Sequence, residues 1–385
     1  MRSKRYGLKQ ALLLLLLVPL TGCWDHKELN DRLFELGSGV DRLDEEKVLL
    51  IGQFMNPKKS EEAGNGEKQS YFIETGTGKT VSDCLLDMQL KLSRRITRGH
   101  RQNIYIGEKT AMIGISNDID SVTRDPDSRL KSDIWIVKGG TALEFMRMSY
   151  QLEKMPVIAL SKLRQIIGKR TGNSLLELLV EQNVEGSGST LPAVEMSYDS
   201  KLQKKTLHVY GRAVLNRKLQ LVGYYERLES AYRLWLTGET DRMPVTVSMS
   251  NGEGSYSVTI SQLGRKVHTE IHGEQVAIGV EVKGNAVIVE STAGVDFRND
   301  EILRTYETEL NNHIEKALLD VMQKAQKQFK VDVFHFGKTI SRQHPEAWEE
   351  LNSHWEQAFS DAKLTVHSNV IIKRIGLQGA PPNKS

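Results

Sequence analysis

Several groups of residues in this 385-residue chain have types and spacing that chemistry can use. Gly76-Thr77-Gly78-Lys79-Thr80 invites a phosphate-binding reading. A phosphate loop needs a glycine five residues before its Gly-Lys pair, so that backbone amides can wrap the phosphates. That place holds Ile73, and Glu74 beside it would oppose a polyphosphate. Thr80 with Asp83 instead fits a helix N-cap, the hydroxyl satisfying an exposed amide and the acid favouring the positive helix end. His268 and His272 are four apart in a strand-like stretch, which separates them by about 13 Å. No His-Glu-x-x-His occurs, so zinc hydrolase chemistry has no foothold. Gly186-Ser187-Gly188-Ser189 has the wrong spacing for a nucleophile elbow and reads as a turn. Cys84 reads as a small core residue, and Trp348 with Trp355, seven apart, as a packing stripe rather than a ligand cage. These residues predict a protein that is not an enzyme, with no metal and no bound cofactor.

Between Asp87 and Glu108 there is no acid, while Lys91, Arg94, Arg95, Arg98, His100 and Arg101 cluster. A solvated helix face accounts for them most simply. With functional content, Lys91, Arg94, Arg95, Arg98 and Arg101 would touch anionic lipid headgroups, each worth about 1 kcal/mol near such a surface. A basic contact for an acidic partner fits equally.

Cys23 is a different matter. Arg2, Lys4, Arg5 and Lys9 open the chain, and the run from Ala11 to Leu20 is apolar with six consecutive leucines. Ten to twelve apolar residues are too few for a bilayer span, which takes about 20. A basic start, a short apolar core and small residues at the end make a secretory signal peptide over residues 1–22. Its ending, Leu20-Thr21-Gly22-Cys23, resembles the bacterial lipobox. In that motif the cysteine receives a diacylglyceryl thioether and becomes the first residue of the mature protein, also carrying an N-acyl chain such as palmitate. Two or more acyl chains anchor stably where one does not. Cys84 is then the only free thiol, so an intramolecular disulfide is impossible in the mature chain.

The charge balance agrees. The chain carries 52 Lys+Arg against 49 Asp+Glu, but four of the basic residues lie in the first 22. Without that segment 48 basic face 49 acidic residues, a net of −1. A nearly neutral body argues against a nucleic-acid binder, which needs a basic face to release counterions from phosphates. With 26% charged and 39% apolar residues the chain is an ordinary globular protein of two or three folded units.

The stretches after Cys23 narrow the field. Cys23-Trp24-Asp25 with Glu28, Asn30 and Leu36-Gly37-Ser38-Gly39-Val40-Asp41 resembles the mature start of the Ger(x)C family, the C-subunit lipoproteins of nutrient germinant receptors in spore-forming bacteria. The likeness continues at residues 99–108, at Thr123-Arg124-Asp125-Pro126 with Arg129, at Tyr210-Gly211-Arg212-Ala213-Val214 with Gly223, and at Pro345 with Trp348 and Trp355. One departure is Phe334-His335-Phe336-Gly337, where relatives carry glycine before the Phe-Gly pair. The resemblance implies a non-catalytic receptor subunit required for germination in response to nutrients. It implies two integral membrane subunits as partners and anchorage by Cys23 on the outer face of the spore inner membrane. The nutrient site would lie mainly on another subunit, and the architecture would comprise three mixed domains. The alternative is a substrate-binding lipoprotein of an importer, whose two lobes would be doubly wound.

These residues must be positioned by regular elements. Leu36 to Asp41 and Val48 to Phe54 read as strands around an acidic turn. Val81, Leu85, Met88, Leu92 and Ile96 predict a helix over 80–96. Residues 104–106 and 134–137 read as short buried strands, with helical patterns around 141–152, 158–168 and 173–183. The polar run 197–205 reads as a linker, giving an N-terminal region 23–200, a C-terminal α+β domain 201–376 and a flexible tail 377–385. Strands follow at 206–215, 218–224, 244–250, 255–269 and 274–291. A long helix from Asp300 to Phe329, about 45 Å in length, would back the sheet. Pro345 suits the first turn of another helix. Strands and helices segregate in this half, so the class is α+β, with mixed or antiparallel sheets packed against helices.

Overall fold

A computed structural model describes residues 29–55, 71–148, 155–167, 173–200, 203–250, 254–273, 275–292 and 299–374, with 150, 153 and 252 between them. The signal peptide, Cys23 and the tail 377–385 lie outside the described residues.

The N-terminal half is built on one mixed sheet. In chain order its elements are β1 (Arg32–Arg42), β2 (Val48–Met55), β3 (Tyr71–Gly78), α1 (Val81–Gln89), β4 (Arg95–Thr97), β5 (Asn103–Gly107), α2 (Glu108–Ile113), α3 (Ser116–Thr123), β6 (Asp133–Lys138), α4 (Ala142–Arg147), α5 (Pro156–Ile167), β7 (Asn173–Ser174), α6 (Leu175–Gln182), β8 (Ser189–Asp199), β9 (Lys204–Leu215) and β10 (Leu221–Glu226). The strand order is β10-β9-β8-β6-β5-β1-β2-β3, with β4 beside β1 and β7 beside β6. The central strands β1, β5, β6 and β8 run parallel. Parallel strands are covered on both faces and therefore read as unbroken apolar runs. Ile134-Trp135-Ile136-Val137 is such a run, each residue fully buried. Cys84, Met88, Ile119, Leu175 and Leu178 from α1, α3 and α6 pack on one face. Phe145, Met146, Val157 and Leu160 from α4 and α5 pack on the other.

The C-terminal half holds α7 (Arg227–Thr237), β11 (Arg242–Ser248), β12 (Ser255–His272), β13 (Gln275–Ser291), α8 (Asp300–Gln323), α9 (Phe336–Gln343), α10 (Pro345–Leu351), α11 (Trp355–Asp361) and β14 (Lys363–Arg374). Its four strands lie in sequence order, β14 running parallel to β13. Burial alternates strictly along β11, the mark of a sheet with one solvated face. Tyr306, Leu310, Ile314, Leu318 and Val321 of α8 cover the other face. Beyond Gln323 the helix widens into a π-helical stretch, Lys324–Phe329, which ends on Lys330 in the left-handed region. Pro345 occupies the first turn of α10, as expected.

Two expectations need correction. The helix over 80–96 stops at Gln89. Its side chain closes the following turn, Nε2 donating to the carbonyls of Leu92 and Arg94 and Oε1 accepting from the amide of Ile96. Ile96 then pairs with Leu33 in a strand, so its apolar spacing served a sheet and not a helix. The polar run 197–205 is the tip of the β8–β9 hairpin rather than a linker. The first sheet continues through β10, and the change of sheet comes between Glu226 and Arg242. Among the described residues there are two sheets. The helices after α8 share a core with the second, giving an α+β chain in two halves.

Candidate functional site

The structure separates the Gly-Thr-Gly-Lys-Thr segment from any phosphate role. Thr80 Oγ1 accepts from the Asp83 amide at 3.1 Å, and Asp83 Oδ2 accepts from the Thr80 amide at 3.2 Å, a complete capping box. A Cβ on Gly76 would lie 1.9 Å from the Cys84 carbonyl oxygen, so that glycine lets α1 lie flush on β3. Cys84 is fully buried and donates to the Val48 carbonyl at 3.3 Å, and burial pushes its thiol up to about 11. The two histidines lie in β12, in extended backbone.

The basic cluster is split, which corrects its reading as one face. Arg101 is 1% exposed and points inward, Nη1 to Ser38 Oγ at 3.3 Å and Nη2 to Ser128 Oγ at 2.7 Å. Ser38 Oγ in turn donates to Glu35 at 2.8 Å. Arg98, also buried, pairs with Asp125 at 2.5 Å. Burial raises the Glu35 carboxyl, an effect that Arg101 and Arg98 oppose. Lys91 remains at the surface, bound to Asp87 at 2.9 Å and to the Thr75 carbonyl at 2.8 Å. Arg94 is half-buried and Arg95 exposed.

This inward cluster joins three distant stretches: residues 35–41 on β1, 98–103 before β5, and the loop 123–129. Asp41, at the far end of β1, accepts the Ala142 and Leu143 amides at 2.8 and 2.9 Å and so caps α4. Asn103 binds the Val157 carbonyl and accepts from Trp135 Nε1, both at 2.9 Å. The polar residues that sequence spacing singled out are thus the ties of the N-terminal half.

A second set of ties forms the joint between the halves. Asp332, 2% exposed, accepts from the amides of Phe334 and Gly337 and from Trp355 Nε1. Its carbonyl receives the Gly188 amide at 2.9 Å. Trp348 Nε1 donates to Glu185 at 2.7 Å. Gly186 has φ +70°, and a Cβ there would sit 2.5 Å from Trp355 Cδ1, so the Gly-Ser-Gly turn is shaped to receive the two tryptophans. Arg212 on β9 binds Thr190 through Nε and Nη2, both at 2.8 Å. Arg233 on α7 reaches the Val333 carbonyl at 3.2 Å and Glu239 at 2.6 Å. Burial, then the neighbouring Arg233, holds Arg212 down at about 10. Burial would raise Glu239, but Arg233 and Arg212 outweigh it and hold the carboxyl at about 2. Burial, reinforced by Arg233, lowers His335 to about 4. Sequence reasoning missed this charge network because its members are spread from Glu185 to Trp355; the lone signal was arginine inside the strand-like Tyr210–Val214. Among the described residues no group of three or more His, Cys, Asp or Glu side chains could hold a metal.

Two family models cover nearly all of this geometry. Residues 25–196 match the spore germination protein N-terminal domain, and residues 210–376 match the spore germination B3/GerAC-like C-terminal domain. The chain belongs to the Ger(x)C family of spore germination proteins. Among its relatives in Bacillus subtilis, spore germination protein KC is 23% identical, with 98% of each chain covered. Spore germination protein B3 is 24% identical, covering 96% of this chain and 98% of the relative. The crystal structure of the GerBC protein superposes with a TM-score of 0.59 at 18% identity, over 88% of this chain and 97% of that one. That likeness fixes the fold.

Proposed function

We propose that this chain is the lipid-anchored C subunit of a spore nutrient germinant receptor. It is held through Cys23 on the outer face of the spore inner membrane and acts without catalysis, by assembly with two integral membrane subunits. The observation that carries the reading is the near-continuous match of both germination domains over residues 25–376, opening two residues after the lipobox cysteine. The geometry supports it. The polar residues that the sequence offered for chemistry are spent on caps and ties, and no helix among the described residues is long and apolar enough to cross a membrane. Attachment would then fall to the acyl chains on Cys23. The importer reading requires two doubly wound lobes, and the second sheet, three antiparallel strands with β14 added, is not one.

Cys23→Ala removes the thioether acceptor. Fractionated spores should then show the protein soluble or depleted; retention of the variant in the membrane fraction at the parent's level would refute the anchor.

A further inference from the structure

We infer that the surface around the start of β1 lies flat on an anionic bilayer leaflet, with Leu90 pressed into the headgroup layer and Arg32, Lys91, Arg94 and Arg95 around it. The inference rests on Cys23 being the anchor point, and it adds an orientation that anchoring alone does not give.

Three observations converge. The described chain begins at Leu29, six residues after Cys23, and β1 begins at Arg32. Six residues reach at most about 20 Å in any conformation, so this end of the sheet stays close to the lipid. At that same end β4 lies parallel to β1, in the register Arg32 to Arg95, Leu33 to Ile96 and Phe34 to Thr97. Neighbouring strands are about 4.8 Å apart, so two guanidinium-bearing residues stand side by side. Like charges in that relation repel, and a negatively charged surface relieves them. Neither Arg32, Arg94 nor Arg95 forms an ion pair among the described residues. Asp31 adjoins Arg32 in the chain, and Asp87 already accepts from Lys91 and from the Thr77 amide.

The third observation is an apolar prong. Leu90 is 80% exposed and Leu86, one helical turn earlier, 63% exposed. The turn that presents Leu90 is fastened by the Gln89 side chain to Leu92, Arg94 and Ile96. An exposed leucine on a braced turn, followed within five residues by Lys91, Arg94 and Arg95 and lying near a lipid tether, matches a bilayer surface: apolar contact below and anionic headgroups around it. Arg98 and Arg101 take no part, since both are committed to the interior.

The test uses the chain from Trp24 to Ser385, which keeps every described element and carries no lipid. It should sediment with vesicles of phosphatidylcholine and phosphatidylglycerol in equal parts, not with pure phosphatidylcholine. Binding should vanish as salt shortens the Debye length toward about 3 Å. With each basic residue near such a surface worth about fivefold in affinity, Arg94→Glu with Arg95→Glu should weaken binding about 25-fold or more. Leu90→Ser should weaken it several-fold, and both variants should melt close to the parent, because Leu90 and Arg95 are exposed and the half-buried Arg94 forms no ion pair among the described residues. Arg217→Glu with Lys218→Glu, exposed on the β9–β10 hairpin at the sheet's opposite edge, should change nothing. No binding by the parent, equal binding to neutral vesicles, or equal loss in the hairpin control would overturn the inference. Because the probe is lipid-free, these outcomes are independent of whether Cys23 is acylated, which the Cys23→Ala fractionation decides separately.

Discussion

Replacing Arg101 and replacing Arg95 should have unlike consequences, although the two are six residues apart in one basic stretch. Arg101→Met removes the bonds to Ser38 and Ser128 and leaves Glu35 buried without its nearest positive charge. Breaking a buried charge arrangement from one side costs about 3–5 kcal/mol. The loss should shrink at acid pH, where Glu35 is neutral. Arg95→Ala touches a solvated group and should stay within about 0.5 kcal/mol of the parent in denaturant unfolding. His335 gives a pH signature at the joint. Its folded pKa, about 4, lies below its ordinary value of 6.5. Protonation therefore favours the unfolded chain, and the stability present above pH 6.5 is lost as pH falls toward 4. At pH 5 the loss is about 2 kcal/mol. His335→Asn, which tolerates the left-handed backbone there, should flatten the melting-temperature profile in that window. The carboxylate of Glu239, whose stabilisation fades only below its ordinary 4.5, should go on titrating in the variant. An unchanged profile in His335→Asn would mean that other groups carry the titration.

At the scale of elements, the capping box of α1 is the sharpest handle on the Gly-Thr-Gly-Lys segment. Thr80→Ala should cost about 1 kcal/mol, and Lys79→Ala, exposed and without a cap bond, close to none. Calorimetry of the two variants checks both; a nucleotide that stabilises the parent but not Lys79→Ala would contradict the capping account. Legibility of the elements followed how local their causes were. The β12–β13 hairpin and the apolar face of α8 announced themselves, because alternation and 3.6-residue spacing are written within each element. The end of α1 did not, because Ile96 keeps helical spacing while β1, more than sixty residues earlier, claims it. α7 was missed as well. Its buried set includes Ser230 and Arg233, and the burial of Arg233 depends on Glu239 and Val333, which no local pattern shows. The polar run 197–205 looked like a linker because a hairpin tip and a linker share one composition.

For the whole molecule, the two halves are coupled by buried polar contacts rather than by a flexible hinge. Trp348 Nε1 donates to Glu185 and the Asp332 carbonyl accepts from the Gly188 amide, contacts that span 144 to 163 residues in sequence. The sequence showed these residues individually; which partners they would meet depended on the closure of both sheets, and the proposed anchor at Cys23 rests on its motif alone. The most direct test is purification of a C-terminally tagged chain from detergent-solubilised spore membranes. The account predicts a mature chain that starts at an acylated Cys23 and co-elutes with two integral membrane proteins in fixed ratio. A chain recovered from those membranes with no integral membrane protein bound would contradict it.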